Sequence, residues 1–267
     1  MPDIHPEQQT PDTQDSQQPP AWSDRELQSS PHDREDKPQR IRRMFAAIAH
    51  AYDLNNRIHS FGRDQTWRKH AVRATNPQPT DRVLDAACGT GDLSRAFLNA
   101  AVSEVVGLDF TAEMLDIART KQTARPGEDP RLSYIQGDAM DLPFDDASFD
   151  IVSIAFGIRN VADPVKALTE FRRVLRPRGR LAILEFDQPS NLIIRAGNDL
   201  YTKRIMPLTA TLISRDRSGA YRYLPKSVDT FLTAPELAQA IQTAGFSDAK
   251  AKKLTFGVCV CHTAHVQ

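Results

Sequence analysis

The sequence predicts an α/β fold, with a mostly parallel sheet flanked by helices. Three observations predict it. Residues 83–87, Val-Leu-Asp-Ala-Ala, read as a short buried strand; Gly89-Thr90-Gly91 follows as a tight turn, and Asp92 to Leu98 opens a helix. Segments that read as strands and helices then alternate as far as residue 186, as parallel pairing requires, because each crossover needs a dozen or more residues. Phe149 to Phe156 is an apolar run, the pattern of a strand buried on both faces.

Composition bounds the rest. The 267 residues are 40% hydrophobic and 25% charged, enough for one sizeable core plus an appendage. No stretch approaches the ~20 apolar residues of a membrane span. The N-terminus lacks the basic and then apolar regions of an export signal. Three cysteines do not make a disulfide framework, so a reducing cytoplasm is expected. The net charge is zero, but residues 1–40 hold nine acids and four bases, leaving 30 bases against 25 acids in the remainder. That excess suits an anionic membrane surface and is too small to argue for nucleic acid.

Residues 1–38 are rich in Gln, Pro, Ser and Asp and are expected to be a disordered acidic extension. Residues 39–267 form one expected domain: a helical cap (39–79), a cofactor-binding core (80–190), a substrate-side insertion (191–232) and a C-terminal helix with strands (233–267). In the cap, Ile41, Met44, Phe45, Ile48 and Tyr52 recur at helical spacing. Residues 53–56 are expected to interrupt that helix before it resumes from Arg57 to Val72. Tyr52, Asp53, Asn56 and His59 are polar candidates to face a substrate, although ordinary caps and surface groups would look the same. Residues 104–109 read as the second strand, 132–136 as the third and 180–186 as the fifth, with Thr111 as an N-cap for the helix to Lys121. Residues 190–217 mix Leu, Ile and Met with Arg195, Lys203 and Arg204. They suit either a greasy substrate or membrane contact, or a pair of core-packing helices. Thr233 and Glu236 have capping-box spacing, and Gly245 stops that helix. The last strand is expected from Leu254 to Ala264. Its Cys259 and Cys261 alternate to one face and His262 to the other, so no metal site is expected there.

The glycine turn allows a ligand to touch backbone. A dinucleotide fingerprint would need a third glycine where Ser94 stands. Asp92 places a negative charge at the helix N-terminus, where a pyrophosphate would otherwise bind. A phosphate-free ligand such as S-adenosylmethionine fits better than NAD. Asp109 ends the second strand 18 positions past Gly91, where an acid accepts ribose hydroxyls. Asp138 and Ala139 follow the third strand, where an acid would meet an adenine amino group and a small residue leaves room for the ring. Arg159 and Asn160 end the fourth strand, next to the switch point of the sheet.

Residues 85–92 resemble the first motif of class I S-adenosylmethionine-dependent methyltransferases. Tyr52-Asp53-Leu54-Asn55-Asn56, Phe156-Gly157-Ile158-Arg159-Asn160, Leu184-Glu185-Phe186 and Tyr223-Leu224-Pro225-Lys226-Ser227 together resemble the C-methyltransferases of menaquinone and ubiquinone biosynthesis. The likeness runs from about Arg42 to Ala264. It implies a Rossmann-like fold with a seven-stranded, mostly parallel sheet and an N-terminal helical region. It implies S-adenosylmethionine as cofactor, held by Asp85, Gly89, Thr90, Gly91, Asp109, Phe110, Asp138 and Ala139. Of these, Thr90, Asp109, Asp138 and Ala139 match contact positions of the family; Ala155 stands where the family often has Ser. The implied substrate is a polyprenyl hydroquinone methylated on a ring carbon. A demethylmenaquinol is expected first, with a ubiquinone-pathway benzoquinol or another lipophilic ring as alternatives, and a non-catalytic cofactor-binding or scaffold protein as the rival class. Arg159, Asn160 and Tyr52 are the expected catalytic residues, with His59 a further candidate. The resemblance allows a homodimer and peripheral contact with the inner face of the membrane.

Overall fold

The computed structural model describes residues 20–124 and 129–267. Seven strands form one sheet: β1 (Arg82–Ala86), β2 (Glu104–Asp109), β3 (Leu132–Gln136), β4 (Phe149–Ala155), β5 (Leu175–Phe186), β6 (Ser247–Leu254) and β7 (Cys259–His265). Their order is β3-β2-β1-β4-β5-β7-β6. β1 to β5 pair in parallel, and β7 runs antiparallel to both β5 and β6. The order reverses between β1 and β4, and ligands of such sheets bind at that switch point, outside the C-terminal strand ends.

The two-residue period of the strands sorts the helices. Val83, Val105 and Ile151 point to the face covered by α2 (Arg63–Ala74), α3 (Asp92–Leu98) and α4 (Ala112–Thr123), meeting Val72, Phe97 and Leu115. Leu84, Val106 and Val152 point to the opposite face, covered by α5 (Pro164–Val174) and α9 (Ala234–Thr243), meeting Phe171 and Ile241. The capping box of α9 forms: Thr233 N–H and hydroxyl both donate to Glu236 Oε2, at 2.8 and 2.7 Å.

A third cluster caps the C-terminal ends of the strands. It joins α1 (Lys37–His59), α7 (Met206–Ser214) and α8 (Ala220–Asp229) through Met44, Ile48, Ala210, Tyr221 and Tyr223. α6 (Leu192–Leu200) leads into α7 through one π-helical turn at Tyr201–Ile205.

Four expectations are corrected here. Residues 20–38 are packed rather than disordered. Trp22 is fully buried, donates its backbone N–H to Ser218 O at 2.9 Å and stacks on Tyr223 at 4.8 Å. Residues 1–19 lie outside the described residues. Next, α1 is not interrupted at residues 53–56. Asp53 and Asn55 turn their side chains outward to Thr90, Lys121 and Tyr221, so they do not compete for their own backbone. The break falls at Ser60–Gly62, where Gly62 takes φ +72°. Thirdly, Thr111 stands at the N-cap of α4 but its side chain makes no capping hydrogen bond; its backbone N–H donates to Asp109 Oδ1 at 2.8 Å. Lastly, the strand expected from Leu254 to Ala264 begins only at Cys259; Leu254 ends β6, and Thr255–Gly257, where Thr255 and Phe256 both have positive φ, separates the two.

Candidate active site

Two cavities lie over the switch point. The smaller is lined by Gly89, Asp109, Phe110, Asp138, Ala139 and Asn160, under the α1 residues Ile41, Phe45 and Tyr52. The larger, of about 490 Å³, is lined by Tyr52, His59, Trp67, Arg68, Arg159 and Tyr223, among others. Phe45, Tyr52 and Phe156 line both, so the two chambers meet at these three rings.

The smaller chamber is built by the first two β-to-α turns. Gly89 and Gly91 take φ of +56° and +78°, a region open to glycine at no steric cost. Asp109 is buried and locked: Oδ2 accepts from Gly89 N–H at 2.7 Å and Oδ1 from Thr111 N–H. Burial raises its pKa, and those hydrogen bonds pull it back. Each oxygen keeps a lone pair for a hydroxyl. Asp138 Oδ1 accepts from Met140 N–H at 2.9 Å. Among the described residues no Lys, Arg or His lines this chamber, so phosphate groups would find no cation there. Acceptor-only carboxylates and bare backbone fit a ribose and an adenine amino group, and hence S-adenosylmethionine. Asp109→Ala is expected to weaken S-adenosylhomocysteine binding by about 1.5–3 kcal/mol, as for a lost charged hydrogen bond. Unchanged affinity by calorimetry would remove Asp109 from the site.

Three expected cofactor residues, Asp85, Thr90 and Gly91, stand behind this wall rather than on it. Asp85 is 1% exposed and accepts from Ser94 and Ser153 hydroxyls at 2.6 and 3.0 Å. Burial pushes its pKa up to about 6 against those bonds. Ser94, the residue that breaks the dinucleotide fingerprint, thus ties the helix to β1. Thr90 donates to Asp53 Oδ1 at 2.5 Å, which fastens the turn to α1. Asp92 is not a bare charge: Arg57, Arg95 and Lys121 all reach it. Burial would raise its pKa, but Lys121 and the arginines outweigh that and hold it at about 2. The helix N-terminus is therefore occupied by a neutralised carboxylate.

The larger chamber holds the remaining candidates. Arg159 is buried, and its Nη1 pairs with Glu185 Oε1 at 2.5 Å and donates to Phe156 O at 2.8 Å. Its Nε donates to Ser227 Oγ. Asn160 faces the smaller chamber instead, and its amide is taken by Phe156 O and the Tyr223 hydroxyl. Tyr52 reaches both chambers; burial raises its pKa, so the phenol stays protonated. His59 Nδ1 lies 3.0 Å from the Tyr201 hydroxyl, and its Nε2 has no partner among the described residues. Burial lowers its pKa. Sequence reasoning missed Glu185 and Lys37. Lys37 is 1% exposed and donates to the carbonyls of Arg159 and Val161 at 3.0 and 2.6 Å. Its burial lowers the ammonium pKa to about 8. It pins the start of α1 to the loop that carries Arg159. Leu184-Glu185-Phe186 was a visible motif, but nothing local marked its acid as the partner of Arg159.

The strand order, the glycine turn and the carboxylates of Asp109 and Asp138 beside it are those of a class I S-adenosylmethionine-dependent methyltransferase. The fold matches solved structures of that class. A Thermotoga maritima S-adenosylmethionine-dependent methyltransferase aligns with TM-score 0.61 at 20% identity, covering 85% of this chain and 100% of that one. A Haemonchus contortus N-methyltransferase solved with S-adenosylhomocysteine aligns with TM-score 0.53 at 20% identity, covering 70% and 38%. The chain belongs to the ubiE/COQ5 methyltransferase family, whose profile matches residues 33–266. A Thermus thermophilus demethylmenaquinone methyltransferase is 46% identical over 82% of this chain and 98% of its own length. A Clavibacter sepedonicus protein of the same name is 41% identical over 85% and 90%. A Dinoroseobacter shibae ubiquinone/menaquinone biosynthesis C-methyltransferase is 40% identical over 86% and 91%.

Proposed function

We propose that this enzyme methylates a ring carbon of a demethylmenaquinol. The observation that carries the reading is the meeting of an apolar, aromatic-walled chamber of about 490 Å³ with the cofactor chamber at Tyr52 and Phe156. The names of the Thermus and Clavibacter relatives support the naphthoquinol. A benzoquinol is the second reading, favoured by the name of the Dinoroseobacter relative, which covers both quinones.

S-adenosylmethionine, when bound, supplies a methyl group on a positively charged sulfur. Asp109, Gly89, Phe110, Asp138 and Ala139 are the residues that would hold it. The chain then has to position a hydroquinol ring and remove a hydroxyl proton, which pushes charge onto the ring carbon. A guanidinium is a poor general base; Arg159, paired with Glu185, instead fixes the loop that carries Phe156. Tyr52 donates a hydrogen bond at the junction. His59 is a neutral imidazole at physiological pH and takes the hydroxyl proton. His59→Gln is expected to lower kcat by about 100-fold with little change in KM; an unchanged kcat would rule out this role.

A tail-bearing substrate has to arrive from a bilayer. Tyr201 and Met206, from the segment that joins α6 to α7, line the chamber. Beside them Leu192, Ile193, Leu208 and Leu212 are 75–84% exposed, among the exposed Arg195, Arg204 and Arg215. Apolar side chains fringed by arginines suit an anionic membrane surface. The test presents demethylmenaquinol in anionic vesicles and reads both methyl transfer and cosedimentation. Turnover with vesicle-bound protein is expected. No turnover on any reduced naphthoquinol or benzoquinol would sink the substrate reading, and turnover without vesicle binding would sink the membrane contact.

A further inference from the structure

S-adenosylmethionine carries an α-carboxylate, and among the described residues no cation lines the chamber read as its nucleoside site. The partner of that carboxylate has to come from the adjoining wall. Three arginines line the larger cavity: Arg63, Arg68 and Arg159. Arg63 is exposed and keeps its water. Arg159 already spends Nη1 on Glu185 and Nε on Ser227.

Arg68 is different. It is 7% exposed, on α2, with its guanidinium 5.4 Å from the ring of Phe156, one of the residues shared by both chambers. Its Nη1 is committed to Asp64, at 3.1 Å to Oδ2 and 3.3 Å to the carbonyl. Its Nε is buried with no partner. Among the described residues Nη2 makes no hydrogen bond either. Nε and Nη2 are the two donors of the edge that takes a carboxylate side-on. A buried donor left unmade is costly.

Charge points the same way. Asp64 is shared with Arg57, whose Nη1 lies 2.9 Å from Oδ2. Around the glycine turn Arg57, Arg68, Arg95 and Lys121 share the carboxylates of Asp53, Asp64 and Asp92. Four cations meet three anions. Asp85, the next buried acid, acts on Arg68 only through space: it makes no ion pair with it, and its oxygens accept from Ser94 and Ser153.

We infer that Arg68 binds the α-carboxylate of S-adenosylmethionine through its Nε–Nη2 edge. This rests on reading the smaller chamber as the nucleoside site. A quinol oxyanion has one oxygen for this two-donor edge and is the rival occupant.

The experiment compares S-adenosylhomocysteine with its decarboxylated analogue, 5′-(3-aminopropylthio)-5′-deoxyadenosine, by calorimetry. The intact protein is expected to bind the analogue about 10–100-fold more weakly, the range of a charged hydrogen-bonded contact. Arg68→Met is expected to weaken S-adenosylhomocysteine by a similar factor and to leave the analogue within about threefold, with Arg68→Lys in between. Equal affinity of the wild-type protein for both ligands overturns the inference whatever the variants do. Equal weakening of both ligands in Arg68→Met also overturns it, as does unchanged binding with a lowered kcat, which would move Arg68 to the quinol. If the wild-type protein binds neither ligand, the nucleoside reading fails instead.

Discussion

Glu185→Leu is expected to destabilise the protein by about 3–5 kcal/mol, because it strands the Arg159 guanidinium in the interior without its anion. The side chains of the pair are 5% and 2% exposed. Glu185 also accepts the backbone N–H groups of Arg159 and Phe186, so the same change orphans two further donors. Adding Arg159→Met removes the stranded charge. The double variant is expected to be more stable than Glu185→Leu by about 1 kcal/mol or more, yet to remain inactive, since Phe156 O loses a donor at the chamber junction. Urea titration of the three variants reads the first effect and a methyl-transfer assay the second. A loss below about 1 kcal/mol in Glu185→Leu would show that Arg159 reaches water in solution.

Trp22→Ala is expected to cost about 3–5 kcal/mol, the range for emptying a large aromatic site. The ring is fully buried, stacks on Tyr223 and lies under Arg40. Tyr223 in turn donates to Asn160 Oδ1 at 2.9 Å. The cavity therefore opens next to the cofactor chamber, and weaker S-adenosylhomocysteine binding should accompany the lost stability. A shift in urea midpoint worth less than about 1 kcal/mol would detach residues 20–36 from the fold.

These two residues also mark where sequence reasoning stops. The strands, the glycine turn, the helix at Thr233 and the end of β2 at Asp109 were legible because each depends on neighbours within one or two turns of chain. Trp22 was not. Its segment is polar on average, and one aromatic ring cannot be seen to pack until α8 is placed beside it. The Arg159–Glu185 pair joins residues 26 apart in sequence; Arg159 looked available for chemistry until Glu185, which had no expected role, was seen to occupy it. The interruption expected at residues 53–56 failed for a related reason. Asp and Asn favour turns when they bond their own backbone, and here they bond α8, α4 and the glycine turn instead. Asp85 and Thr90 were expected on the cofactor wall, but residue type alone does not say which side of a turn a side chain takes, and they turn to Ser94, Ser153 and Asp53.

One contact beneath the glycine turn bears on how such motifs change over generations. The ring of Tyr134, on β3, fills the space beside Gly91 and Gly107. A Cβ at Gly107 would lie 2.6 Å from it, and one at Gly91 would overlap its hydroxyl. Gly91 is thus held by its own positive φ and by an aromatic neighbour two strands away. The three positions form one heritable unit. A lineage that keeps the ring keeps both glycines even if it abandons the cofactor, whereas replacing Tyr134 alone leaves Gly107 confined, since a Cβ there would still lie 3.0 Å from Cys88 Sγ.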